Sequence, residues 1–108
     1  MSDRGGPPHQ GEIWWAEAED KRRPVLVVTR SEAVPVLTSI VVAPVTRTIR
    51  GIPTEVSLGP EHGLPEVCVA NLDSIQPIRR SFLTQRVGRL APDETGAICR
   101  ALSALADC

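Results

Sequence analysis

The chain has no tyrosine, one phenylalanine (Phe82) and two tryptophans among its 108 residues. Platforms on which a run of nucleobases could stack are therefore scarce. Histidine is as rare, with only His9 and His62 present. His62 stands six residues before Cys68, a spacing that matches no common metal-ligand pattern. No metal site and no cofactor are expected. The three cysteines, Cys68, Cys99 and Cys108, are an odd number without a close pair. That pattern speaks against a disulfide framework and a zinc knuckle, and leaves free, buried thiols as the expectation. Cys68 lies between Val67 and Val69 in an apolar segment, where a thiol packs rather than reacts.

Other absences narrow the field further. No apolar run approaches the ~20 residues that cross a bilayer, so no membrane partner is expected. The opening "MSDRGGPPHQ" lacks the apolar segment of a secretory signal. It reads as a loose arm over residues 1–10, with a single domain over 11–108 and a cytoplasmic location. A glycine-rich phosphate loop is missing, since Gly5 and Gly6 fall in the arm. There is no internal repeat.

What is present is a 42% hydrophobic chain, long enough for a modest core, and a set of arginines. Eleven of the twelve cations are arginine, the side chain suited to bidentate phosphate contact. The net charge is only −1, but it is unevenly spread. Lys21 to Thr54 holds six cations against the single acid Glu32, and Arg79 to Ala91 holds four arginines and no acid. The acids fall in the remaining blocks, so a folded molecule can show a basic face despite its acidic pI.

The pattern of elements is mainly β with a closing helix. "GEIWWAEA" (Gly11 to Ala18) predicts a first strand and "EDKRR" a charged loop. "PVLVVTR", from Pro24, predicts a second strand, and Leu37 to Val45 a third with Pro44 at an edge or bulge. Thr54 to Gly59 reads as a fourth strand, with Thr54 outward and Val56 and Leu58 inward or the reverse. "VCVANLDSIQP" reads as a fifth that loses regularity near Asn71. Ser81 to Gln85 suggests a helical turn and Arg86 to Leu90 a short strand. "PDETGAICRALSALAD" predicts a helix, with Pro92 at its first position, acids in its first turn, and Ile98, Ala101, Leu102 and Leu105 on one face. The expected fold is a small, strongly bent sheet or partly closed barrel of five or more antiparallel strands with a C-terminal helix.

One geometric consequence follows. If the second and third strands are antiparallel neighbours, the start of one lies beside the end of the other. Arg23, beside the rigid Pro24, and Thr46, just beyond Pro44-Val45, then meet at one rim.

The order of "GEIWW", "RRPVLVV", "VVAPVT", "GIPTEV", "VANLDSI" and "RVGRLAPDE" resembles the MazF/PemK toxins over about Gly11 to Ala106. The resemblance implies an SH3-like barrel with a C-terminal helix that forms a homodimer. It implies a metal-independent endoribonuclease that cuts single-stranded RNA to 2′,3′-cyclic phosphate and 5′-hydroxyl ends and is blocked by a cognate antitoxin. It puts the family's catalytic arginine on Arg23 and its catalytic threonine on Thr46. Asn71 falls where many members carry a polar residue facing the groove, and Glu12 matches an acid that often follows the first-strand glycine. Arg47 and Arg50, with Lys21 and Arg22, are expected to contact phosphate. Some relatives use a histidine in the first loop or an Arg-x-Asp pair in the fifth strand, and this chain has neither. The proton acceptor therefore stays open among Glu19, Asp20, a perturbed arginine and water. A guanidinium, with a pKa above ~12, suits a clamp or an acid better than a base. The alternatives are a gyrase-binding toxin of the CcdB group and a binding barrel without activity. The terminal "ALSALADC" lacks the aromatic or arginine anchor of a protein hot spot.

Overall fold

The computed structural model describes residues 6–18 and 20–106. Seven strands form one curled, antiparallel sheet: β1 (Glu12–Ala18), β2 (Lys21–Val27), β3 (Ser39–Thr46), β4 (Glu55–Leu58), β5 (Cys68–Asn71), β6 (Gln76–Arg79) and β7 (Leu83–Arg89). A single helix, α1 (Gly96–Ala106), closes the chain. The strand order is β4-β5-β3-β2-β1-β7, with β6 also paired to β3. No helix among the described residues is long and apolar enough to cross a membrane.

The central strands are apolar on consecutive positions because both of their faces are covered. Leu26 and Val28 point into one core with Ile13, Ala43, Val56, Leu72 and the helix residues Ile98 and Ala101. Val25 and Val27 point into a second core with Trp14, Ala16, Val34, Val42 and Leu83. Period-two alternation thus splits one aliphatic run between two cores on opposite sides of the sheet.

Several elements differ from the expectation. Lys21, Arg22 and Arg23 are not loop residues but the first part of β2, paired with Ala18, Glu17 and Ala16 of β1. The hairpin with β1 extends the strand through the cationic cluster. Pro44 sits in a central strand rather than at an edge, opposite Val25. The expected fifth strand is two strands, because Asn71 caps a 3-10 turn over Leu72–Ser74 by accepting the Asp73 N–H at 3.0 Å. The expected turn at Ser81 to Gln85 is shorter and earlier, at Arg80–Phe82, and β7 already begins at Leu83. Leu83 is drawn into the second core, which takes the rest of the segment with it. Thr54 is buried on the same side as Val56 and Leu58, and its hydroxyl donates to Asp73 Oδ2 at 2.8 Å. Leu105 leaves the apolar face of α1 and is exposed.

The first half of the expected arm lies outside the described residues. In its second half, Gln10 donates through Nε2 to the Val28 carbonyl and through its N–H to Ser31 Oγ, each at 2.9 Å.

Candidate active site

The site begins where β2 and β3 part. Their pairing runs from Val27–Val42 to Val25–Pro44 and stops. Beyond it β2 stays with β1, as Trp15 faces Pro24 and Ala16 faces Arg23. β3 turns to β5, with Val45 opposite Ala70 and Thr46 opposite Val69. Pro24 and Pro44 flank the point of separation, and neither has an N–H to give to a ladder. The gap opens into two hollows of about 380 and 430 Å³. Arg23 and Thr46 line both, so they form the ridge between them.

The two ridge residues are differently held. Thr46 is half-buried, and its Oγ1 accepts the Thr48 N–H at 3.1 Å. That bond uses a lone pair and leaves the hydroxyl proton free to be donated. Arg23 is exposed and has no acidic partner among the described residues. Lys21 and Arg30 likewise have none among the described residues, whereas Arg22, Arg47 and Arg50 are paired. Arg22 pairs with Glu17 at 3.0 Å and lies 4.2 Å above the Trp15 ring. Arg47 reaches both oxygens of Glu66 at 3.3 Å. Arg50 contacts Glu55 at 3.5 Å and Asp73 at 3.4 Å.

The first hollow takes in Arg47, and the second takes in Arg50 and Asn71. Lys21 and Arg22 line neither, although Trp15, under Arg22, is a wall of the first. Asp20 is exposed and also lines neither, and Glu19 lies outside the described residues.

Comparison with known proteins identifies the family of the chain. A family model described as PemK-like, MazF-like toxin of type II toxin-antitoxin system matches residues 9–106. The chain belongs to this PemK/MazF family of endoribonucleases. It is 46% identical over 103 residues to the probable endoribonuclease MazF5 of Mycobacterium tuberculosis, covering 94% of each chain. Endoribonuclease MazF3 of the same organism is 39% identical over 83 residues, 77% of this chain and 81% of its own. Among solved structures, the M. tuberculosis toxin MazF-mt6 superposes with a TM-score of 0.82 at 34% identity, covering 89% of this chain and 96% of that one. An endoribonuclease in complex with its cognate antitoxin, from mycobacterial species, gives 0.79 at 26% identity, with 91% and 93% covered.

In this PemK/MazF chain the residues that most look like catalysts by type are structural. Glu12 is buried, and it accepts from the His9 N–H and the Trp14 indole, each at 2.9 Å, and from Arg86 at 3.3 Å. His62 is buried too. Gly59 N–H donates to its Nδ1 at 3.1 Å, so the ring proton is on Nε2 and points at Glu94 Oε1, 2.9 Å away. Glu94 also accepts the Ala91 N–H at 2.8 Å, and these two bonds, the Ala91 one first, hold its carboxyl below the usual range. No cluster of three His, Cys, Asp or Glu side chains with metal-binding placement occurs among the described residues. Burial, and then the charge of Glu66, pushes the Cys68 thiol up, away from reactivity. Cys99 is exposed, against the expectation of burial, because it lies on the outer face of α1, while Cys108 lies outside the described residues.

Sequence reasoning missed Trp15, Leu64, Pro65 and Glu66 in the first hollow and Thr48, Ser74 and Gln76 in the second. The segment Pro60 to Glu66 carries no periodic signal, so nothing in its residues announces that it folds back onto the end of β3.

Proposed function

We propose that this chain is a sequence-specific, metal-independent endoribonuclease toxin, with Arg23 and Thr46 as its catalytic residues. One observation carries the reading. An arginine without an acidic partner among the described residues and a threonine with a free proton share one ridge between two hollows, at a point the fold keeps open.

In this reading single-stranded RNA crosses the ridge with the scissile phosphate on it. The 2′-hydroxyl attacks the adjacent phosphorus and releases its proton to water, and the bond to the 5′-oxygen breaks as that oxygen takes up a proton from water. The products are a 2′,3′-cyclic phosphate and a 5′-hydroxyl. Negative charge gathers on the non-bridging oxygens and on the departing oxygen. Arg23 clamps that charge, and Thr46 donates a neutral hydrogen bond to it. A preorganised charged donor such as Arg23 is worth about 3–4 kcal/mol, and a neutral hydroxyl such as Thr46 less. Arg47 and Arg50 hold flanking phosphates through guanidinium N–H groups that their carboxylate contacts leave unused. Asn71 faces the second hollow, and Lys21 and Arg22 extend the basic track. The curled sheet is the family's SH3-like barrel, two copies form a homodimer in the cytoplasm, and a cognate antitoxin occupies the RNA path.

Incubation of the purified protein with a long RNA in EDTA tests this. The expected result is cleavage with cyclic-phosphate ends, lost in Arg23→Ala. Intact RNA, or an Arg23→Ala protein that cuts as well as the parent, overturns it. Intact RNA with stalled gyrase would instead favour the non-enzymatic toxin.

A further inference from the structure

The two hollows beside the ridge differ in kind. The second is ringed by polar groups, among them Thr48, Asn71, Ser74 and Gln76. The first is a slot with apolar walls, Trp15, Pro24, Leu64 and Pro65, and a single carboxylate, Glu66. A carboxylate repels a phosphodiester, so its place in a slot beside a phosphate site calls for another partner. The N–H edge of a nucleobase is such a partner.

We propose that the first hollow takes a guanine beside the scissile phosphate and that Glu66 selects it. The proposal rests on the nuclease reading and deepens it by naming the base. Flat apolar walls suit the faces of a heterocycle, and unpaired RNA bases are commonly held between such surfaces and read along their Watson–Crick edge. The walls are fixed in advance. Arg22 lies over the Trp15 ring at 4.2 Å, and prolines cannot swing. Glu66 is held as well, since Arg47 Nη1 stands 3.3 Å from each of its oxygens. One N–H donor group uses only part of the capacity of a carboxylate, which has about four acceptor positions.

The four bases then rank by their donors. Guanine presents two adjacent N–H groups, N1–H and N2–H, which match the two oxygens of a carboxylate. Adenine and cytosine each present one amino group beside a ring nitrogen whose lone pair opposes the second oxygen. Uracil presents N3–H between two carbonyl oxygens. A bidentate pair of the guanine kind discriminates against a wrong base by about tenfold or more.

The test has two arms. In the first, a randomised RNA is cut in EDTA and the new ends are sequenced. The expected result is guanine enriched about tenfold on one side of the cut, with the enrichment abolished in Glu66→Gln, an exposed and nearly isosteric change. Absence of guanine from both flanking positions, or an enrichment that survives Glu66→Gln, overturns the proposal. In the second arm guanosine 3′-monophosphate and inosine 3′-monophosphate are titrated against tryptophan fluorescence, with Trp15 as the reporter. Inosine lacks the 2-amino group. The guanosine nucleotide should bind about tenfold more tightly, and Glu66→Gln should level the two; equal binding to the parent protein overturns the assignment. The arms separate the two readings. Cleavage whose base preference ignores Glu66 removes the guanine site and spares the nuclease. Intact RNA with Glu66-dependent preference for the guanosine nucleotide removes the nuclease and spares the guanine site.

Discussion

The open seam at Arg23 and Thr46 and the clasp at His62 and Glu94 lie in one small molecule and treat their polar groups in opposite ways. At the clasp, both ring nitrogens of His62 are engaged, and Glu94 serves the imidazole and a backbone N–H together. Gly88 and Gly63 complete it. A Cβ at Gly88 would collide with the His62 carbonyl, and one at Gly63 with the Val87 carbonyl. At the seam, the guanidinium of Arg23 has no acid among the described residues and the Thr46 hydroxyl keeps its proton. Residue type is therefore a poor guide to chemistry, and unspent hydrogen-bonding capacity is a better one. Histidine and glutamate, the usual acid–base pair, are here the mortar of the fold.

The comparison can be broken at either end. Arg23→Ala should lower RNA cleavage about 10²–10³-fold with an unchanged unfolding midpoint, measured by initial rates and denaturant melts. A matching loss of stability would make Arg23 a fold residue. Gly88→Ala should do the reverse, costing about 2–3 kcal/mol in a urea titration through backbone displacement. Its rate per folded molecule should stay near that of the parent, and a rate lost in proportion would tie the clasp to the chemistry. Thr46→Val, which keeps the shape and removes the hydroxyl, should slow cleavage about tenfold without a shift in midpoint.

The smallest effect sharpens the picture of the clasp through pH. Glu94 is depressed by the Ala91 N–H and then by His62. Glu55 is depressed as well. Burial works against its ionisation but is outweighed by the N–H groups of Arg50, Gly51 and Ile52 and by the Arg50 guanidinium. For a depressed carboxylate the unfolded chain binds the proton more readily, so stability falls as pH drops. The loss should begin near the ordinary glutamate value of about 4.3 and continue through the lower folded-state values. Glu94→Gln should lower the denaturant midpoint slightly near neutrality and flatten part of this acid slope in pH-dependent denaturant melts.

Much of this was legible in the residues. The aliphatic runs of β2 and β3 announce strands covered on both faces, and the antiparallel neighbour argument alone puts Arg23 across from Thr46. The closing helix is visible in its apolar spacing, but its expected start at Pro92 is a 3-10 turn over Pro92–Glu94, and α1 begins at Gly96. Three things are less visible. Charge and Pro24 suggest a loop for the cationic cluster, whereas the hairpin with β1 decides. The loss of regularity near Asn71 is legible, but the split of that segment into two strands depends on one side-chain cap. Glu66 reaches the site only because an irregular segment folds back, and long-range placement of that kind has no signature in composition.

The turn bearing His62 has a second face. The same short segment that presses on β7 and grips the lead-in of α1 runs on through Leu64 and Pro65 to become the far wall of the first hollow. The His62–Glu94 bond ties that wall from behind to the lead-in of α1, so the width of the slot and the seating of the C-terminal helix are linked.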